Sequence, residues 1–118
     1  MQGYRGLIVW QKSMELCEAV YRLSEKLSAS ERYGLVSQMQ RAAVSIPSNI
    51  AEGHGRGAGK DYAKHLRYAR GSLAELETQI ELAVRCQQLP RDDAKNAWSL
   101  TQDVGKLLTR LIQSQITT

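Results

Sequence analysis

The sequence predicts an all-α protein, an antiparallel up-down-up-down four-helix bundle. Three observations carry that expectation. Apolar residues recur at three- and four-residue steps almost throughout, which is the helical period. β-branched alternation is absent, and only two prolines occur in 118 residues. Four periodic segments are joined by short links, which favours antiparallel neighbours. A chain of this length fits one domain, 1–118, and buries enough surface for a single core.

The first helix is expected over about 10–26. Trp10, Met14, Cys17 and Tyr21 form one row on it, with Leu16, Val20, Leu23 and Leu27 beside them. Ser28 followed by Glu31 has the spacing of a capping box and predicts a second helix over 29–53. Leu35, Met39, Ala42, Ala43, Ile46 and Ile50 make its inward stripe. Pro47 lacks a backbone donor, so a kink near Val44 to Pro47 is expected rather than a stop, because the periodicity resumes at Ile50. Gly53, Gly55, Gly57 and Gly59 are expected to end that helix and form the flexible connection GHGRGAG.

The third helix follows over 60–88. Its row of Tyr62, Leu66, Ala69, Leu73, Leu76, Ile80 and Ala83 steps by four and three, a coiled-coil-like seam. Leu89 and Pro90 close it. The fourth, over 92–115, has acids at its positive end and carries Ala97, Leu100, Val104, Leu107, Leu108 and Leu111. On the first and fourth helices, apolar groups cover roughly half the circumference, wider than the ~100° stripe that one core needs. Val44 and Ala51 add apolar surface away from the main stripe of the second. Surplus of this kind marks an interface, so a homo-oligomer is expected, with helices one, four and two at its contacts.

Several function classes are excluded. The apolar run from Leu7 to Trp10 is too short for a signal-peptide core, and nowhere do about 18 apolar residues run together as a membrane span requires. A cytoplasmic protein with no membrane partner is expected. Cys17 and Cys86 lack metal-ligand spacing and read as two buried small hydrophobes in a reducing compartment. No Glu-x-x-His pair points inward for a di-iron site. The G-x-G-x-x-A match from Gly53 follows no strand, and Gly59-Lys60 is followed by Asp61, so neither phosphate-loop motif stands. His54 and His65 have no nucleophile beside them. No cofactor, metal or catalytic residue is expected.

Charge is the remaining signal. Sixteen basic and twelve acidic residues give a net charge of +4. Between Gly53 and Arg70 lie Arg56, Lys60, Lys64, Arg67 and Arg70 against Asp61 alone, and outside that window the signs cancel. Lys60, Lys64 and Arg67 follow the seam's spacing on the opposite face. Cations in the first turn of a helix oppose its dipole by a few tenths of a kcal/mol each, so something outside should favour them. Phosphate is a candidate, and the expected activity is electrostatic binding of structured RNA or DNA. The competing explanations are a solvated face paired with Glu52, Asp61 or Glu75, and a scaffold ring that docks protein and touches no nucleic acid.

YGLVSQMQRAAVSIPSNIAEGHGRG over 33–57, ARGSLAELETQIELA over 69–83 and VWQKSMEL near the start resemble the four-helix-bundle proteins encoded within 23S rRNA intervening sequences. The related accessory variability proteins of diversity-generating retroelements share the bundle. The resemblance implies a homopentameric ring without known catalysis and, for the retroelement relatives, a basic surface binding nucleic acid with a reverse transcriptase as partner. The family motif falls on Ser45, Pro47, Asn49, Glu52, Gly53, Gly71, Ser72 and Glu75. Structural roles are expected for all of them. Pro47 sets the kink, Ser45, Ser48 and Asn49 serve backbone groups that it frees, and Gly71 allows close helix approach. Glu52 is expected to pair with Arg56 or to reach Arg41. Ala58 stands where the family commonly has a capping serine.

Overall fold

The computed structural model describes residues 3–116. Four helices make up the bundle: α1 (Ile8–Ser24), α2 (Ser37–Gly55), α3 (Lys60–Arg85) and α4 (Arg91–Ile116). They pack in a closed sequence, α1 on α2, α2 on α3, α3 on α4 and α4 back on α1. The body measures 46 × 22 × 20 Å. Every pairing is antiparallel, as the cross-helix bonds show. Ser24 meets Gln40, Ser45 meets Ser72, Glu77 meets Gln102, and Lys26 just beyond α1 reaches Asp93 at the start of α4.

The inward rows fill the core. All seven seam residues from Tyr62 to Ala83 are buried. On α1 the buried row is Leu16, Val20 and Leu23, while Met14 and Tyr21 of the neighbouring row stay exposed. Val44 is exposed as well, away from the stripe formed by Met39, Ala43, Ile46 and Ile50. α4 buries Ala94, Ala97, Val104, Leu108 and Ile112 around one polar core residue, Thr101, whose hydroxyl donates to the Trp98 carbonyl at 2.6 Å.

Several expectations need correction. The capping box does not form. Ser28 Oγ bonds Ser30 Oγ at 2.8 Å and reaches Gln88, and makes no cap bond. A 3-10 turn at Ala29–Glu31 and a π turn at Arg32–Val36 occupy the stretch instead, and α2 proper starts at Ser37. Gly34 explains the delay: at φ −108, ψ −106 it leaves the helical region and interrupts the ladder. Secondly, Gly53 does not end α2, which runs on to Gly55. Thirdly, Cys86 is exposed, whereas Cys17 is half-buried. Lastly, Gly71 serves no close approach within the chain, since an added Cβ there would meet nothing within 4 Å.

α2 passes through Pro47 without a break. Beyond it, Gly57 and Gly59 take φ of +91 and +96, conformations that a β-carbon disfavours. Gln115 of α4 fastens this loop by accepting the Gly59 N–H at 3.2 Å. α3 stops three residues short of the expected boundary. Gln87 adopts φ +62, and the N–H groups of Gln87 and Gln88 donate back to Val84 and Ala83, a Schellman ending built without glycine.

Candidate nucleic-acid interface

Each of the five predicted cations is exposed, and they share one region, the end of α2 and the outward face of α3. Their surroundings separate them. Arg56 Nη2 donates to Glu52 Oε2 at 3.1 Å, one turn back on α2. That bond, together with the nearby His65, holds the Glu52 carboxyl below its ordinary range. Lys60, Lys64, Arg67 and Arg70 form no ion pair among the described residues. Neither Asp61 nor Glu75 forms an ion pair with the row, and Glu52 is engaged by Arg56 and His65 rather than by Arg41.

His65 is the pivot between the loop and the row. It is buried, its Nε2 lies 3.4 Å from Glu52 Oε2, and its Nδ1 faces the Asp61 carbonyl at 3.0 Å. The Asp61 carbonyl, on the same helix, orients the ring, and the Glu52 contact joins α2 to α3 where the basic row begins. Gly53 makes that approach possible: a Cβ there would stand 2.7 Å from His65 Cβ and 3.1 Å from Tyr62 Cδ1. Tyr62 is buried in the seam, whereas Tyr68 is exposed beside the row.

Two further cations join from α4. Arg70 lines an open groove of about 510 Å³ between α3 and α4, and Lys106 and Arg110 line it from the other side. Both are exposed and without an ion-pair partner among the described residues. Glu77 is the one acid on the groove wall, and its carboxylate accepts from Gln102 Nε2 at 2.9 Å. Leu73, Ala74 and Gly105 contribute the apolar part of the wall. Sequence reasoning missed Lys106 and Arg110 because charge outside the Gly53–Arg70 window sums to zero. Their i,i+4 spacing on the polar face of α4 was the available signal.

The family model of the 23S rRNA-intervening sequence protein matches residues 5–110. The chain belongs to this family. One solved structure, described as a protein with unknown function from the S23 ribosomal protein family of Bacteroides thetaiotaomicron VPI-5482, shares its fold. It superposes with a TM-score of 0.82 at 24% identity, covering 90% of this chain and 99% of the other. No curated protein matches significantly.

In this intervening-sequence protein the motif residues bind α2 to its neighbours. Pro47 has no N–H to donate to the Ala43 carbonyl one turn back. The serines and Asn49 were expected to serve that freed group, but Cys17 of α1 does so, its Sγ donating to Ala43 O at 3.0 Å. Burial pushes the Cys17 thiol up to about 11, with the Glu18 charge adding to the effect, so the proton needed for this bond is held at neutral pH. Asn49 instead donates to the Ser45 carbonyl and hydroxyl at 2.9 and 3.0 Å. The Ser45 and Ser72 hydroxyls share a 2.8 Å bond that crosses to α3. Glu75 lines a shallow cleft beside them with Arg41 and Gln38.

Proposed function

We propose that this family member is a non-enzymatic, homo-oligomeric bundle that binds structured RNA or DNA through its basic surface. One observation carries the reading: Lys60, Lys64, Arg67 and Arg70 stand exposed on one end of α3 without a carboxylate partner among the described residues. Asp61 is the one acid between Gly53 and Arg70, so positive charge is concentrated on this stretch whereas the signs cancel over the rest of the chain. A row of concentrated positive charge favours a polyanion, whose released counterions drive association.

Self-assembly is supported by the apolar row left outside the core. Met14 is 40% exposed, Tyr21 45% and Val44 43%. They border hollows between α1 and α2 that Trp10 and Pro47 also line. The pentamer, the kinship with accessory variability proteins and a nucleic-acid enzyme as second partner are part of the same proposal.

The test is a shift assay at low salt with the triple variant Lys60→Gln/Lys64→Gln/Arg67→Gln. Removing three charges that neutralise phosphates should flatten the slope of log K against log salt by about 2–3 and leave helicity unchanged. Wild-type protein that arrives free of nucleic acid and shifts no probe would instead favour a protein-docking scaffold.

A further inference from the structure

We propose that Tyr68, with Lys64, Arg67 and Gly71 around it on the outward face of α3, is a stacking platform for an unpaired base of RNA or DNA, an inference that rests on the nucleic-acid reading above and names what the surface takes. Tyr68 is 54% exposed. Residues three and four apart on a helix are neighbours, so Lys64 adjoins the ring one turn back, and Arg67 precedes it directly. The ring is backed rather than loose. It meets His65 edge to face, with centroids 5.6 Å apart and planes at 71°, and His65 is itself buried against the Asp61 carbonyl and Glu52. That contact orients the ring before any ligand arrives.

Gly71 supplies the second observation. It lies inside α3, one turn after both Arg67 and Tyr68, where glycine is unfavourable relative to alanine. Nothing in the chain requires it: it is exposed, and an added Cβ would meet no atom within 4 Å. The side chain of a helical residue leans over the turn N-terminal to its own Cα, so a long residue at position 71 would lie across Arg67 and Tyr68. Glycine leaves that surface bare, which is its use where a ligand comes close to backbone.

An uncovered aromatic ring among cations selects its ligand. Within a duplex the base faces lie against one another, and only edges and backbone are presented. An unpaired base offers a face to an aromatic ring and its phosphates to the cations. A protein partner that covered Tyr68 would also desolvate Lys64 and Arg67, which form no ion pair among the described residues, and burying a charge without a partner is costly. A nucleic-acid strand serves ring and cations together. Every base has a π-face, so recognition of this kind tolerates sequence.

The experiment compares the full-length wild type with Tyr68→Ala, Tyr68→Phe and Gly71→Leu. A labelled single strand of mixed sequence and the full duplex with its complement, as RNA and as DNA, are titrated across a salt series. Thermal melts and light scattering follow fold and mass. The wild type should bind the single strand more tightly than the duplex. Tyr68→Ala should weaken single-strand binding by roughly 5- to 150-fold, the loss of one stacked base, with an unchanged salt slope because no phosphate contact is removed. Tyr68→Phe should keep most of the affinity. Gly71→Leu should raise Tm, since leucine is the better helix former, and yet weaken single-strand binding, a combination that no folding defect produces. Wild-type affinity in Tyr68→Ala or Gly71→Leu, or duplex binding as tight as single-strand binding, overturns the platform and spares the broader reading. A changed mass in Gly71→Leu also overturns it, by assigning the glycine to a contact between copies. Wild type that binds none of the probes at low salt removes both.

Discussion

At the scale of single residues, the strongest dependence joins two side chains that sit 30 positions apart. Pro47 deprives the Ala43 carbonyl of its helical donor, and the Cys17 thiol supplies a substitute. Cys17→Ala should therefore destabilise the protein by about 1–2 kcal/mol, the cost of leaving a part-buried acceptor unpaired plus a little lost packing. Cys17→Ser keeps a donor and should lose less. Pro47→Ala restores the N–H, so in that background Cys17→Ala should have a smaller effect. A double-mutant cycle by urea denaturation reads the coupling directly, and strictly additive single effects would rule it out. The motif Ser45-Ile46-Pro47 was legible in the sequence, but its partner was not. Cys17 read as a passive hydrophobe because a hydrogen bond across 26 residues leaves no trace in local spacing.

At the scale of elements, the ends of the helices are held by ionic contacts. Glu81 near the end of α3 accepts from Arg85 at 2.9 Å and takes both Arg91 nitrogens at 3.2 Å, tying α3 to the first residue of α4. The Arg91 and Arg85 hydrogen bonds hold the Glu81 carboxyl down at about 2, against an ordinary 4.5. A depressed carboxylate contributes stability that is complete above its unfolded-state value and is lost as pH falls through the folded one. The tether should thus weaken between about pH 4.5 and 2. Glu81→Gln should show a smaller drop in Tm over that interval than the wild type, and parallel Tm curves for the two proteins would discount the tether. The boundaries of α3 and α4 were close to expectation because an unbroken apolar period runs through each. The start of α2 was misjudged because Gly34 interrupts a pattern in which Ser28 and Glu31 had the right spacing for a cap they do not make.

At the scale of the whole molecule, a single copy leaves apolar surface uncovered. Met14, Tyr21 and Val44 are all at least 40% exposed between α1 and α2, and Trp98 is 39% exposed on α4. Such a surface favours association. Light scattering should accordingly give a multiple of the 13.2 kDa chain, five being the number that the family resemblance implies. Met14→Ser/Val44→Ser should shift the mass towards one copy while helicity persists. A wild type that stays at 13.2 kDa over the micromolar range would count against assembly. Assembly would also multiply the basic surface, since each copy brings its own row along α3 and groove against α4. Binding should then weaken in the Met14/Val44 variant even though no cation has been changed.

The sequence by itself determined the class of fold and the inward rows of its helices, from Tyr62 to Ala83 above all. Helical periodicity is a local property, and each segment states its own apolar side. Only the tertiary structure decided which of two adjacent rows on α1 is buried and that Gly53 makes room for His65. It alone set Cys17 against Ala43 and brought Arg70 together with Lys106 and Arg110. Those are relations between helices, set by register and by which neighbour packs where, and residues distant in the chain acquire them only when four amphipathic rods close around a common core.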